Sequence, residues 1–377
     1  GRVIKIPIRQ EAPRFSGVDQ LSNDKRRMAV RPMLAISTLA LSVFASCETR
    51  HTGAEATAPF EQVFPTLRAL DLVDDATAPL GSPIALAHWE GDWVLADQML
   101  GELKVFDSTG RWRQTIGSGG EGPGEFSWPV SLAVTSDGLL AVLDRSLNRV
   151  SYFDRAGAVV SDWVAPPGRF SSIAVLEDGR VILAGYLADG SGDDEHTVHV
   201  LSPTGELSGS LHPRDSAWRP TERNFSSVHL SVRGSQVATV ESGSNRVFVT
   251  DLSDMTTREI VVESPEYRPV QWPEQLGGGL DSATAWYHRQ TWITRLLLLE
   301  GGLVVRLSTF PDGTAEARWV VTDGSGRSLV STTPNQGETL NIALSDDRFA
   351  GFWSDDYGNV AIGEFGFGLE WRDDGAF

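Results

Sequence analysis

Three acidic residues stand at the same point of a recurring pattern in this chain. Asp97, Asp144 and Glu241 each close an apolar run, and the last two are followed by a short loop and an Asn-Arg pair, Asn148-Arg149 and Asn245-Arg246. An acid and a guanidinium at this spacing either fix a loop or present charge to a ligand. For Asp144 with Arg149 the loop-fixing ion pair is the stronger expectation. The second cluster with chemical potential is aromatic: Trp272, Trp286, Tyr287 and His288 fall in a long insertion, 264–290, that interrupts an otherwise regular spacing. Long connections of this kind tend to carry function.

Other candidates are weaker. Asp189-Gly-Ser-Gly-Asp-Asp-Glu-His196 is rich in oxygen ligands and could hold calcium, but it lacks the glycine at position six and the glutamate at position twelve of an EF-hand loop. His196 and His199, three apart on a strand, face opposite sides and make poor joint metal ligands. His88 and His229 lie near inner strands at non-equivalent positions. The chain has neither a Gly-x-Ser-x-Gly elbow nor a His-Glu-x-x-His motif, so no catalytic residue, metal site or cofactor is assigned.

The lone cysteine, Cys47, rules out an intrachain disulfide and a cysteine-based zinc site. Its surroundings say more. Lys25, Arg26, Arg27 and Arg31 precede an apolar run, Met33–Phe44, and then Ala45-Ser46-Cys47. A basic region, a short apolar stretch and small residues form a secretory signal, and the run falls short of the roughly 20 residues that span a bilayer. Phe44-Ala45-Ser46-Cys47 resembles the bacterial lipobox, which implies lipidation of Cys47. Met28 or Met33 would start a leader of ordinary length, so residues 1–27 are expected to be upstream sequence. The expected division is 1–46 upstream segment and signal, 47–65 a polar, Pro/Ala/Thr-rich tether, and 66–377 the folded body.

Residues 1–46 carry eight Lys/Arg against three Asp/Glu, whereas the remainder carries 24 against 47. So acidic a surface repels phosphate backbones and anionic membranes, which leaves the lipid as the only expected membrane contact and weighs against nucleic acid as a partner.

The elements that must position these residues follow from a repeat. Pro83 and Pro129 are 46 apart, and the Gly-ended turns at Gly110 and Gly157 are 47 apart; Gly205 follows after 48. Each unit reads as four short strands, with an apolar inner strand such as Ser131–Val134, a turn such as Ser136-Asp137-Gly138, and a second buried strand ending at the acid. Helical periodicity shows only around Asp281–Arg295. Units at 83–117, 129–165, 171–211, 227–263, 291–332 and 339–371 predict an all-β protein. The expected architecture is a monomeric six-bladed β-propeller with four-stranded antiparallel blades, in which Leu67–Val73 would complete the last blade and close the ring. A seven-bladed ring or an open solenoid are the alternatives.

Ile116-Gly-Ser-Gly-Gly-Glu-Gly-Pro-Gly-Glu-Phe-Ser-Trp-Pro129 resembles the segment that joins blades in the NHL-repeat-like six-bladed propellers of bacterial lipoproteins. That resemblance spans 66–371, is strongest at 83–157, and includes the acid–loop–Asn-Arg pattern. Its glycines are expected to serve the connection and Phe126 to pack between blades. Phosphate binding there would need a helix N-terminus and usually a Lys, and both are missing. The function expected is a module at the cell envelope that binds a protein, peptide or glycan. Its ligand face would carry Asp97, Asp144, Arg149, Glu241, Arg246, Trp272, Trp286, Tyr287 and His288. The alternative, which the resemblance also allows, is a metal-dependent, lactonase-like hydrolase or lyase at the channel mouth.

Overall fold

A computed structural model describes residues 56–73, 79–188, 195–215, 227–264, 267–271, 279–310, 316–323, 328–331, 340–345, 347–354 and 359–369. Six sheets are arranged in a ring. Blade 1 comprises β3 (Pro83–Trp89), β4 (Asp92–Asp97), β5 (Glu102–Phe106) and β6 (Trp112–Ile116). Blade 2 comprises β7 (Pro129–Val134), β8 (Leu140–Asp144), β9 (Arg149–Phe153) and β10 (Val159–Val164). Blade 3 is built from β11 (Gly168–Val175), β12 (Val181–Leu187), β13 (His196–Leu201) and β14 (Leu207–Pro213). Blade 4 follows with β15 (Val228–Arg233), β16 (Gln236–Glu241), β17 (Arg246–Asp251) and β18 (Thr256–Val261).

Blade 5 holds β19 (Trp292–Leu298), β20 (Gly302–Thr309), β21 (Glu316–Asp323) and β22 (Ser328–Ser331). Blade 6 takes β23 (Ile342–Ser345), β24 (Arg348–Ser354) and β25 (Val360–Gly366) from the end of the chain and β2 (Thr66–Asp71) from its start. The expected closing strand therefore exists, as the outermost strand of the last blade. Neighbouring inner strands touch in cyclic order, with β23 returning to β3. The ring closes at six blades, which sets aside the seven-bladed ring and the solenoid.

Burial explains the sequence pattern. Second strands are sandwiched between blades and are wholly buried in β4, β8 and β12, so they read as continuous apolar runs. Outer strands are wetter, as in β10, where five of the six residues are exposed. Trp89 shows how blades lock: its ring is buried between blades 1 and 2, and Nε1 donates to the Gly138 carbonyl at 2.8 Å. The Arg155 guanidinium of blade 2 lies over that ring at 4.8 Å and also reaches Asp92 of blade 1 at 2.6 Å.

The folded body begins earlier than the sequence suggests. Residues 56–65, expected to be tether, include a strand β1 (Ala56–Ala58) that pairs in parallel with β22 as a fifth strand of blade 5. A single turn, α1 (Phe60–Val63), then crosses toward blade 6. Phe60 and Phe64 are fully buried at 5.2 Å from each other, and they pack on Trp319, Phe349 and Phe365. Two aromatics four residues apart were the available sign that this stretch folds. Cys47 and the leader lie outside the described residues. The helix α2 (Gly279–Tyr287) ends well before Arg295, which belongs to a strand. Among the described residues no helix is long and apolar enough to cross a membrane.

Candidate ligand site at the mouth of the central channel

The connections between blades and the loops between second and third strands lie at one end of the ring, which brings most of the expected site residues to one face. Their side chains, however, are engaged with the protein itself. Asp97 accepts hydrogen bonds from four backbone amides, those of Gly81 (2.5 Å), Ser82 (3.0 Å), Met99 (3.0 Å) and Leu100 (3.1 Å). Asp144 repeats the device with the amides of Ser127 (2.7 Å), Trp128 (2.9 Å) and Leu147 (2.9 Å). Each carboxylate ties the connection entering its blade to the loop leaving the second strand.

The expected ion pair of Asp144 with Arg149 does not form. Arg149 is buried and donates to the Glu121 and Glu125 carbonyls of the Gly-rich loop. The acid is already saturated by amides, and the guanidinium closes a loop whose carbonyls would otherwise lack donors. In that loop Phe126 is buried against Phe153 at 5.6 Å. Gly117 has φ +78° and its absent side chain would meet the Phe126 ring at 2.4 Å, so only glycine fits.

Glu241 accepts from the Tyr186 hydroxyl of blade 3 (2.7 Å) and the Asp215 amide (2.6 Å). Burial pushes its carboxyl up to about 7, against the pull of those two donors. Arg246 forms a two-pronged pair with Glu259 at 2.7 and 2.9 Å. In the insertion, Trp286 is buried edge-on to Trp292 at 5.8 Å and donates to the Gln271 carbonyl at 2.9 Å. Tyr287 stacks on Trp292 at 4.6 Å, and His288 on Phe310 at 4.9 Å. These three residues pack on blade 5 and do not line the channel. Trp272 and the calcium candidate at 189–194 fall outside the described residues.

What opens to ligand-sized space is the channel itself. A cavity of about 570 Å³ runs between the six inner strands, from Trp128, Arg145 and Ser227 at the loop end to Glu177 and Gly234 at the other. That volume lies within the range of small-molecule sites, roughly 300–1,000 Å³. Its wall is set by a shared irregularity. In blades 1, 2, 3 and 5 the inner strand bulges within three residues of its start, at Ile84, Val130, Ser171 and Thr294. The next residue is Ala85, Ser131 and Ser172 in three of them, but Arg295 in blade 5. Blade 4 has no bulge, and His229 comes second in its inner strand. Small residues from three blades leave room into which blades 4 and 5 place an imidazole and a guanidinium.

Arg295 donates to the Thr294 carbonyl at 2.9 Å and reaches across to the Ile84 carbonyl of blade 1 at 3.5 Å. Its register partner Arg306 has a buried Nε with no hydrogen-bond partner. Both arginines are half-buried, and Arg295 lines the channel. Burial therefore weakens the hold of Arg295 on its proton. Burial and the adjacent charge of Arg295 bring Arg306 down to about 10. His229 lies at 3.1 Å from the Ser242 hydroxyl, and burial together with Arg295 drives it down to about 3, so it is neutral at pH 7. At the rim, the Arg145 guanidinium sits 5.8 Å from the Trp128 ring centroid, and burial and Arg169 lower its affinity for the proton. Among the described residues no three His, Cys, Asp or Glu side chains converge to hold a metal.

The comparisons with known proteins agree with this architecture. A family model described as "6-bladed beta-propeller" matches residues 53–162. The protein is a six-bladed β-propeller. It is similar in structure to a Bacteroides fragilis protein whose name describes it as exported, with a TM-score of 0.57 and 13% identity over 82% of this chain and 98% of that one. A member of the duf4221 family from Bacteroides vulgatus is similar at a TM-score of 0.56 and 12% identity, over 80% and 97%. No curated protein matches the sequence.

Arg145, Arg295 and Arg306 were missed by sequence reasoning, and His229 was noted without a role. The available signal was an arginine in an apolar run, Trp292-Ile-Thr-Arg-Leu-Leu-Leu298, at the point where other units carry Ala or Ser.

Proposed function

We propose that this propeller is an exported binding module, anchored to the cell envelope through a lipid on Cys47, which takes its ligand into the loop-side mouth of the central channel. One observation carries the reading. The acids at the strand ends are occupied by backbone amides, while the channel offers open volume lined by Arg145, His229 and Arg295. The leader sequence and the exported neighbour support the location. A lactonase-like metal centre would require three ligands to converge at the mouth, and no observation among the described residues favours it.

Two measurements test the proposal. Metabolic labelling with a fatty-acid analogue should mark the wild-type chain and not Cys47→Ser, and the variant should move from the membrane to the soluble envelope fraction. Ala343 is an exposed residue of the channel wall, so Ala343→Trp should plug the cavity without touching the buried layers. The plugged variant should fold normally yet lose capture of envelope metabolites by the purified chain. Unchanged membrane attachment in the first case, or unchanged capture in the second, would refute the corresponding half.

A further inference from the structure

The chain carries a net charge of −18, yet the wall of its channel is cationic. Arg145 and Arg295 line it beside the neutral His229, and among the described lining residues the only carboxylate is Glu177, at the far end. Elsewhere in the fold arginines find carboxylates readily: Arg113 and Arg155 share Asp92, Arg246 takes Glu259, and Arg348 takes Glu364. Among the described residues Arg295 meets two carbonyls, one of them at 3.5 Å, and Arg306 beside it leaves Nε unpaired. Enclosed like charges without a counterion are costly. The chain has 50 Asp and Glu residues, yet among the described lining residues none stands beside Arg295.

We infer that the channel, granted that it is a binding site, takes a small organic anion, a carboxylate or a phosphate or sulfate ester, anchored on Arg295 beside His229 and met at the entrance by Arg145. The planar guanidinium fork suits the paired oxygens of these groups. The rest of the cavity argues for an organic ligand over a simple ion. Its volume of about 570 Å³ exceeds what an inorganic anion fills, and Leu132, Ile173 and Leu296 give it apolar walls. Trp128 is 44% exposed at the rim, with the Arg145 guanidinium over its ring, and forms a shelf for the apolar part of the ligand. Ser172, whose hydroxyl donates to the Val228 carbonyl at 2.9 Å, keeps the facing wall small and uncharged.

The test is thermal unfolding of the purified full chain in citrate, inorganic phosphate or chloride at equal ionic strength. Citrate and phosphate should raise the midpoint by a few degrees over chloride, and the rise should saturate with concentration. Arg295→Met keeps the bulk and removes the charge. It should raise the midpoint in chloride, because a half-buried cation with no carboxylate beside it is gone, and it should abolish the response to citrate and phosphate. Arg145→Met, at the more open rim, should weaken the apparent citrate affinity several-fold. Should Arg295→Met not fold, the wild type itself gives the answer: the His229 imidazole, followed by NMR, should titrate at higher pH once citrate occupies the channel.

Equal midpoints in all three salts, a full citrate response in Arg295→Met, or an unmoved His229 titration would each overturn the inference. The outcomes also separate it from the proposal on which it rests. Capture lost in Ala343→Trp but intact in Arg295→Met keeps the binding channel and removes the anion. Capture intact in Ala343→Trp removes the channel as the site.

Discussion

Blades 2 and 4 carry the same short pattern, an acid, a loop and Asn-Arg, and use it differently. The asparagines agree. Asn148 donates through its side chain to the Ala165 carbonyl at 2.9 Å, and Asn245 to the Val262 carbonyl at 3.0 Å, so each clamps the connection that leaves its own blade. The acids diverge. Asp144 is one methylene shorter than Glu241 and sits inside a ring of three amides, whereas Glu241 reaches past that position to one amide and the phenol of the preceding blade. The arginines diverge further. Arg149 is buried in the carbonyls of a Gly-rich loop, and Arg246 lies outside on a surface pair with Glu259. A motif that is constant in sequence is thus constant in role only where its partners are backbone groups that every blade supplies.

The largest test of that contrast is Asp144→Ala. It strands three amides in a part-buried connection, each worth roughly 1–3 kcal/mol when left without an acceptor. We expect a loss of about 4 kcal/mol in denaturant unfolding, with blades 1 and 2 loosening together because Trp128 and Phe126 belong to the freed segment. A loss under about 1 kcal/mol would mean that the amide ring does not organise the blade.

The second test concerns Glu241 and pH. Its folded value of about 7 stands above the ordinary 4.5. The folded state therefore holds a proton that the unfolded chain releases between those two values. The stabilisation is complete below about pH 4.5 and is lost as pH rises through 7, in total about 3 kcal/mol. His212 and His229, driven by burial to about 4 and 3, act in the opposite direction: they favour folding above pH 6.5 and withdraw that support as pH falls toward their folded values. Comparing wild type with Glu241→Gln cancels the histidines. The variant should gain on the wild type by about 3 kcal/mol between pH 4.5 and 8. A difference that stays flat over this range would show that the carboxyl is not held protonated.

The fold was legible in the sequence where each repeat satisfies itself. Ser131–Val134, the turn at Gly138 and the run ending at Asp144 have the periodicity of a blade because their partners are local. The closing strand pairs with β25 at the far end of the chain, and it was readable because a ring of blades needs one more strand to close. Residues 56–65 were not, because a three-residue strand and a single helical turn leave too short a pattern among Ala, Thr and Pro. Their order comes from Phe60 and Phe64 meeting Trp319 and Phe349, more than 250 residues away. The channel cations were hidden by a similar distance. Arg295 acquires its meaning from Ala85, Ser131 and Ser172 standing small on other blades, a relation that needs the ring to be closed before it can be seen.

The smallest expected effects come from the two arginines of the shared pattern. The buried Arg149 donates charged hydrogen bonds to two carbonyls of a part-buried loop, and such bonds contribute roughly 1.5–3 kcal/mol. Arg149→Ala should cost about 2 kcal/mol in denaturant unfolding, and it should expose the Gly-rich loop to proteolysis. Arg246 and Glu259 form an exposed pair, screened by water and salt, of a kind typically worth roughly 0.2–1 kcal/mol. Its guanidinium also lies over the Phe248 ring at 5.2 Å, so Arg246→Ala should cost about 0.5 kcal/mol, and Arg246→Met, which keeps an apolar stem, less. Raising the salt to about 1 M should erase most of the Arg246 effect while leaving that of Arg149, because only the first lies within reach of mobile ions. Equal losses from the two alanine variants, or equal salt dependence, would mean that the motif does the same work in both blades.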